Sequence, residues 1–277
     1  MEKEIKHSVV IKSNSLVSAI YKMPVNSSHL FNIMLRYIDA NDVISDDGKL
    51  HTITASEFGK LLGIDDKHRY RDLKIATNFL LSATIKVSID TFTYEKYSIF
   101  DTARYAVGEG YTSLAFSRNF LPFIQGLDGD YTRLELAQTL RFKKFASLRI
   151  YEKLMQYMQP DGTGWWHVDL TELKQLLSID ENHTYWDNNV FRARVYAPAI
   201  QEICDKLYWH IRTTPVRVGR TIFKFEITFR DLDPDGLLFK DSLSRGNKKT
   251  RLNNAHRAAD ARAKVSRLSH LKKIGVK

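Results

Sequence analysis

Cysteine is almost absent from this chain. Cys204 stands alone among 277 residues, which excludes an internal disulfide and any zinc site built from several thiolates. A lone cysteine of this kind reads as a small buried side chain. No stretch approaches the ~18 consecutive apolar residues of a membrane-crossing helix. The opening MEKEIKHSVVIKSNS has neither an uninterrupted apolar core nor a small-residue cleavage site, so no secretory signal is expected. These absences together predict a reducing, cytoplasmic protein that does not engage a membrane. The nine histidines include no His-x-His pair, so a metal-dependent nicking site with a nucleophilic tyrosine lacks its ligands. Gly-x-x-x-x-Gly-Lys-Ser/Thr is missing too, which argues against an ATP-driven helicase. The chain is therefore not expected to be an enzyme, and no cofactor and no metal is expected.

What is present is an uneven charge. The net charge is +10, and it is concentrated at one end. Residues 240–277 hold twelve of the 42 Lys and Arg and two of the 32 Asp and Glu, leaving thirty of each sign in residues 1–239. A neutral body with a basic tail predicts a polyanionic partner, nucleic acid before membrane. The body must then supply any specificity.

The body contains a repeat. TASEFGKLLGIDDKHRY (54–70) aligns without a gap on DLTELKQLLSIDENHTY (169–185), at an offset of 115 residues. Thr54…Glu57 and Asp169…Glu172 are both capping-box patterns opening a short helix, and each helix ends at a small residue, Gly63 or Ser178. A longer helix follows in each unit, over about 68–82 and about 188–207. A leading helix and a short strand precede each pair: 27–39 with LHTIT, and 140–158 with GWWHVDL. Alternating strands close both units: ATIKVSI, KYSIFDTARY and YTSLAFS in the first, LYWHIRT and TIFKFEITF around a turn near Gly219 in the second. Helix, strand, helix, helix, strand, strand is the order of a winged helix. The fold class is α+β: two tandem winged-helix domains with a basic C-terminal tail. The domains are assigned as 1–130, 131–235 and a flexible or partly helical 236–277.

In a helix-turn-helix the second helix enters the major groove, and residues near its N-terminus meet base edges. In the second unit these are Asn188, Asn189, Arg192 and Arg194; arginine binds guanine O6 and N7 bidentately. Pro198 follows in the same helix. It either kinks a helix starting near Asn188 or sits near the start of one, and the sequence leaves both open. Arg212, Arg217 and Arg220 lie on the second wing as phosphate contacts, and Arg69, Arg71 and Lys74 open the equivalent helix of the first unit. His68 and His183 read as turn or cap residues. Trp165 and Trp166 alternate on a strand, so one belongs to the core; base stacking is a second reading for the pair.

Patterns spread over residues 13–230 resemble the replication initiators of iteron-containing, theta-replicating plasmids, the Rep family that includes the F plasmid initiator. They are SNSLVSAIYKMPVNSSHLFNIML, SRNFLPFIQGLDGDYTRLEL, ASLRIYEKLMQYMQPDGTG, FRARVYAPAIQEI and FKFEITFRD. The resemblance implies two winged-helix domains binding double-stranded DNA. Monomers would bind direct repeats in the origin, and dimers formed through the N-terminal domain would bind an inverted repeat and repress their own gene. It also implies host DnaA, the replicative helicase and chaperones as partners. Arg192 and Arg194 match the family's basic cluster, with Ala193 where relatives can carry a third basic residue. A winged-helix transcriptional repressor without a replication role is the alternative.

Overall fold

The computed structural model describes residues 9–40, 48–90, 92–106 and 108–233. The basic run of residues 240–277 lies outside them, as does the assigned tail boundary.

Each unit is built around a three-stranded antiparallel sheet of the same topology. In the first, β2 (His51–Thr54) pairs with β6 (Tyr111–Phe116), which pairs with β5 (Phe100–Ala106). In the second, β8 (Thr163–Asp169) pairs with β10 (Thr221–Asp231), which pairs with β9 (Trp209–Val218). The β5–β6 and β9–β10 hairpins are the two wings. The repeat extends to the turns: Gly63 and Ser178, equivalent positions, both adopt left-handed backbone (φ 64° and 52°) at the end of the first helix of their pair.

Those pairs are α3 (Ala55–Leu62) with α4 (Arg69–Ser82), and α7 (Leu170–Leu176) with the helical run of residues 188–207. Thr54 caps α3, its hydroxyl accepting from the Glu57 N–H at 3.1 Å. The expected reciprocal bond is replaced by an ion pair, because the Glu57 carboxylate is taken by Arg36 at 2.5 Å. Asp169 opens α7 without any side-chain cap bond, so the second capping box is not formed.

The leading helices are α2 (Val25–Leu35) and α6 (Phe145–Gln156). The second is shorter than the expected 140–158, because residues 140–144 are not helical and join it to a separate turn, α5 (Leu136–Thr139). The intervening backbone is claimed from a distance: Glu202 accepts from the Lys143 N–H (2.8 Å) and the Ser147 hydroxyl (2.6 Å). KYSIFDTARY, expected as one strand, divides at buried Ile99. Residues Tyr94–Ser98 (β4) pair with β3 (Thr84–Ser88), while β5 turns away to the wing. This extra hairpin has no counterpart among the described residues of the second unit.

The units meet along a seam that no repeat announces. Strand β1 (Val9–Ser13) pairs with β7 (Tyr131–Glu135) in the stretch leading to the second unit, and α1 (Asn14–Ser18) packs on α6. Buried apolar residues of both units join in one cluster. At the heart of the seam Glu152 accepts from Lys12 (2.7 Å) and Arg149 (2.6 Å), all three fully buried. Arg149 further donates to the carbonyls of Val17 (2.9 Å) and Ala19 (2.7 Å) and to the Tyr21 hydroxyl (2.8 Å).

Polar residues of α2 also enter the interior, among them Ser27, His29 and Asn32. Burial lowers the His29 pKa to about 4, with the backbone of Phe142 and Thr139 and the Glu202 carboxylate opposing in part. The unfolded imidazole titrates near ~6.5 and binds its proton first, so this contribution is present above ~6.5 and is lost as pH falls towards 4. Equilibrium unfolding across that window is expected to show a fall of roughly 3 kcal/mol, reduced when His29 is replaced by glutamine. A flat profile in both proteins would contradict it.

Candidate nucleic-acid interface

The second unit's recognition helix shows why Pro198 sits where it does. Asp187 caps its start, one carboxylate oxygen accepting from the N–H groups of Asn189 and Val190, both at 2.9 Å. The helix then runs without a break in handedness through α8 (Asn188–Phe191), a π-helical turn (Arg192–Tyr196) and α9 (Ala197–Leu207). Within the π turn the Ala197 N–H bonds to the Arg192 carbonyl, five residues back. The extra residue widens the helix immediately before Pro198, where a regular turn would press the ring against the Arg194 carbonyl.

The burial pattern gives the same reason from the other side. Phe191 and Tyr196 are both buried though five residues apart; Ala199, Ile203 and Leu207 then continue at ordinary spacing. A strict α-helix would carry one of the two aromatic rings to the surface. Tyr196 is fixed further by its hydroxyl against that of Thr213 (2.6 Å) and by its ring beside Phe225, centroids 4.6 Å apart.

The π turn leaves Ala193 and Arg194 exposed and Arg192 half-buried, with Asn189, Ala197 and Gln201 exposed on the neighbouring turns. Asn189, Arg192, Ala193, Ala197 and Gln201 border a cleft of about 620 Å³ against Thr213 and Pro215 of the wing strand. Such a cleft between recognition helix and wing is the shape that receives a duplex backbone while the helix lies in the major groove. Arg217 and Arg220 are exposed at the wing tip, around the two-residue turn Gly219–Arg220.

Three expected contacts take other places. Asn188 faces inward: its amide donates to the Ile222 carbonyl (3.1 Å) and accepts from Lys174 (2.5 Å), so it anchors the helix start to the wing. Arg69 folds back on Asp66 (2.5 Å) and its stem packs on Gly59, leaving Arg71 and Lys74 exposed. Arg212 lies at the base of the wing strand, across the sheet from Trp165 and remote in register from the tip.

On α4 the exposed face adds Tyr70, Ile75 and Asn78 to Arg71 and Lys74. Composition did not single these out, nor Ala197 and Gln201. Their signal is positional, since Asn189, Ala193, Ala197 and Gln201 recur every four residues opposite the apolar stripe. His183 is the turn residue its position suggested, its Nδ1 accepting from the Tyr185 N–H at 3.0 Å. Cys204 is buried and its thiol is pushed up to about 11 by burial, consistent with a packing role. Among the described residues no helix is long and apolar enough to cross a membrane.

Two winged helices, each with a recognition helix beside a hairpin, define a class of architecture. The family model for "Initiator Replication protein, WH1" matches residues 9–155, more than half of the chain. This chain belongs to the initiator replication protein family. The match begins at β1 and runs through α6, so it includes the seam as well as the first winged helix. The chain is also 24% identical over 254 residues to the PI protein of Escherichia coli, covering 81% of this chain and 83% of that protein. Among solved structures it resembles the Pi initiator protein, crystallised in complex with iteron DNA. That likeness has a TM-score of 0.70 at 23% identity and covers 82% of this chain and 98% of the other. It establishes the tandem winged-helix fold.

Proposed function

We propose that this initiator-family protein binds double-stranded DNA at iterons of a plasmid origin, one winged helix to each successive stretch of duplex, and does so without catalysis. The observation that carries the proposal is the second recognition helix, which a π turn arranges to present Arg194 outward and Arg192 into the cleft under the wing. Arg194 and Asn189 read base edges; Arg217 and Arg220 hold phosphates, and Arg71 and Lys74 are their counterparts in the first unit. The structurally similar Pi initiator, solved with iteron DNA, supports iteron DNA as the ligand. As a dimer the protein would bind an inverted repeat and repress its own gene, and host DnaA, the replicative helicase and chaperones would be its partners in the cytoplasm.

The deciding experiment is a gel shift with footprinting over the DNA flanking the gene, against random competitor. A ladder of bands over evenly phased direct repeats is expected. A single protected palindrome without a ladder would leave a repressor with no replication role. The basic run of residues 240–277 adds a sequence-independent hold on the duplex in this reading. Its deletion is expected to weaken binding to random duplex and to flatten the dependence of log K on log salt, by about 0.9 for each phosphate the tail neutralises. An unchanged slope would remove the tail from the DNA.

A further inference from the structure

Strands β9 and β10 meet at Trp209 and Asp231, at the end of their ladder opposite the wing tip. Both residues line an open cleft of about 500 Å³, which strand β7 and the end of α6 complete. Part of the lining is apolar: Leu134 and Trp209 are buried, and Met155 and Met158 lie half-buried beside them. The charged lining is mainly acidic, with Glu135, Asp161 and Asp231 against Arg133. Asp161 accepts from the Thr163 N–H (3.0 Å) and hydroxyl (2.7 Å). Glu135 and Asp231, in contrast, form no ion pair among the described residues. Burial raises the Asp231 carboxyl, and the neighbouring charges of Asp233 and Glu135 add to the rise. The Trp209 indole N–H, buried beside Asp231, has no partner within hydrogen-bond distance among the described residues. The cleft thus offers apolar surface, two carboxylates without a cation and a donor without an acceptor. A chain segment with apolar side chains, a cationic one and backbone carbonyls answers all three.

The next residues of this chain have that composition. The last described residue, Asp233, stands two positions past Asp231, and PDGLLFK (234–240) follows it. Leu237, Leu238 and Phe239 are the only three consecutive apolar residues in 234–277, and Lys240 opens the basic run. Six residues of extended chain span roughly 20 Å at most, so residue 237 is always within reach of the cleft. We infer that residues 237–240 of the same chain dock here, Leu237–Phe239 against Met155, Met158 and Trp209, and Lys240 against Glu135 and Asp231. So short a tether holds the segment at an effective concentration in the ~mM range, and modest contacts suffice to seat it. The docked segment would tie β7, in the stretch leading to the second unit, to the last strand of that unit, closing the seam from a further side. It would also give the basic run a fixed root, at the end of the sheet away from Arg217 and Arg220.

The test is amide hydrogen exchange of the full chain, read by mass spectrometry over residues 237–240. These amides are expected to exchange about tenfold more slowly than in a synthetic peptide of the same sequence, at every protein concentration. Phe239→Asp, which brings a further carboxylate to an acidic cleft, is expected to abolish the protection. Glu135→Lys and Lys240→Glu are each expected to lower it about threefold, and the two together to restore most of it. Glu135 is exposed, and a thermal scan of each variant separates a lost contact from a lost fold. The inference is overturned if the parent segment exchanges like the peptide, if Phe239→Asp leaves its protection unchanged, or if the charge swap restores nothing. Protection that rises with protein concentration would place the segment on a second copy of the chain, and would overturn it equally.

Discussion

Replacing Glu152 with glutamine is expected to destabilise the protein by about 3–5 kcal/mol. Glu152 is wholly buried and, among the described residues, is the only carboxylate in contact with Lys12 and Arg149, which are equally buried. Burial alone would raise its carboxyl, but Lys12 and Arg149 overcome that and hold it below the usual carboxylate range. Burial likewise lowers the Lys12 ammonium, and Glu152 opposes the effect. The neutral amide leaves two cations in the interior with nothing to compensate them. Removing one partner of a buried ion pair costs far more than the pair contributes as a whole, because the remaining charge keeps its desolvation cost.

Lys12→Met in the Glu152→Gln background should therefore recover part of the loss, since one stranded cation goes. Urea unfolding of the two variants and the parent provides the comparison. A loss below ~1 kcal/mol for the single variant, the size of a surface ion pair, would refute this account of the seam. The consequence reaches function, because Lys12 lies on β1 and Arg149 and Glu152 on α6. What this cluster fixes is the placement of one winged helix against the other, and hence the spacing at which two recognition helices can meet one duplex.

Arg194→Ala should weaken binding to the specific duplex by roughly 1–3 kcal/mol and relax discrimination at one base pair, while binding to random duplex changes little. Arg194 is exposed on the π turn, and that turn is fixed by two buried rings and a proline, so the guanidinium is presented from a rigid part of the helix. Arg217→Ala provides the contrast. At the wing tip, with a guanidinium nitrogen already donating to the Arg220 carbonyl at 3.1 Å, it should weaken all sequences alike and lower the salt slope by about one. Equal losses on specific and random DNA for Arg194→Ala would move that residue from base reading to phosphate contact. The two variants need only titrations at two salt concentrations against both duplexes.

The winged-helix order was legible because its signals are local. Apolar alternation marks β8 and β10, and the gap-free repeat places Gly63 and Ser178 at the same left-handed turn. What was not legible depended on residues far apart in the chain. Glu202 decides where α6 begins, from more than fifty residues away in the chain. Arg69 and Asn188 look like free polar groups at the start of a recognition helix. Only their neighbours, Asp66 and Gly59 in one case and Lys174 and Ile222 in the other, show that both are committed to the fold. The same holds for Trp165 and Trp166: alternation says that one is buried, and the sheet's packing decides which.

By itself, then, the sequence determined the two units, their helix-turn-helix and wing order, the confinement of excess positive charge to one end, and the family. Periodicity, capping residues and turn residues act within a few positions along the chain, so the order of residues carries them directly. The tertiary structure alone decided the π turn that presents Arg194, the buried Lys12–Glu152–Arg149 cluster that joins the units, and which of Trp165 and Trp166 stays exposed. Each of these is a matter of burial. Whether a charge is stranded or paired, and whether a ring packs or stays exposed, depends on what closes over it once distant segments meet.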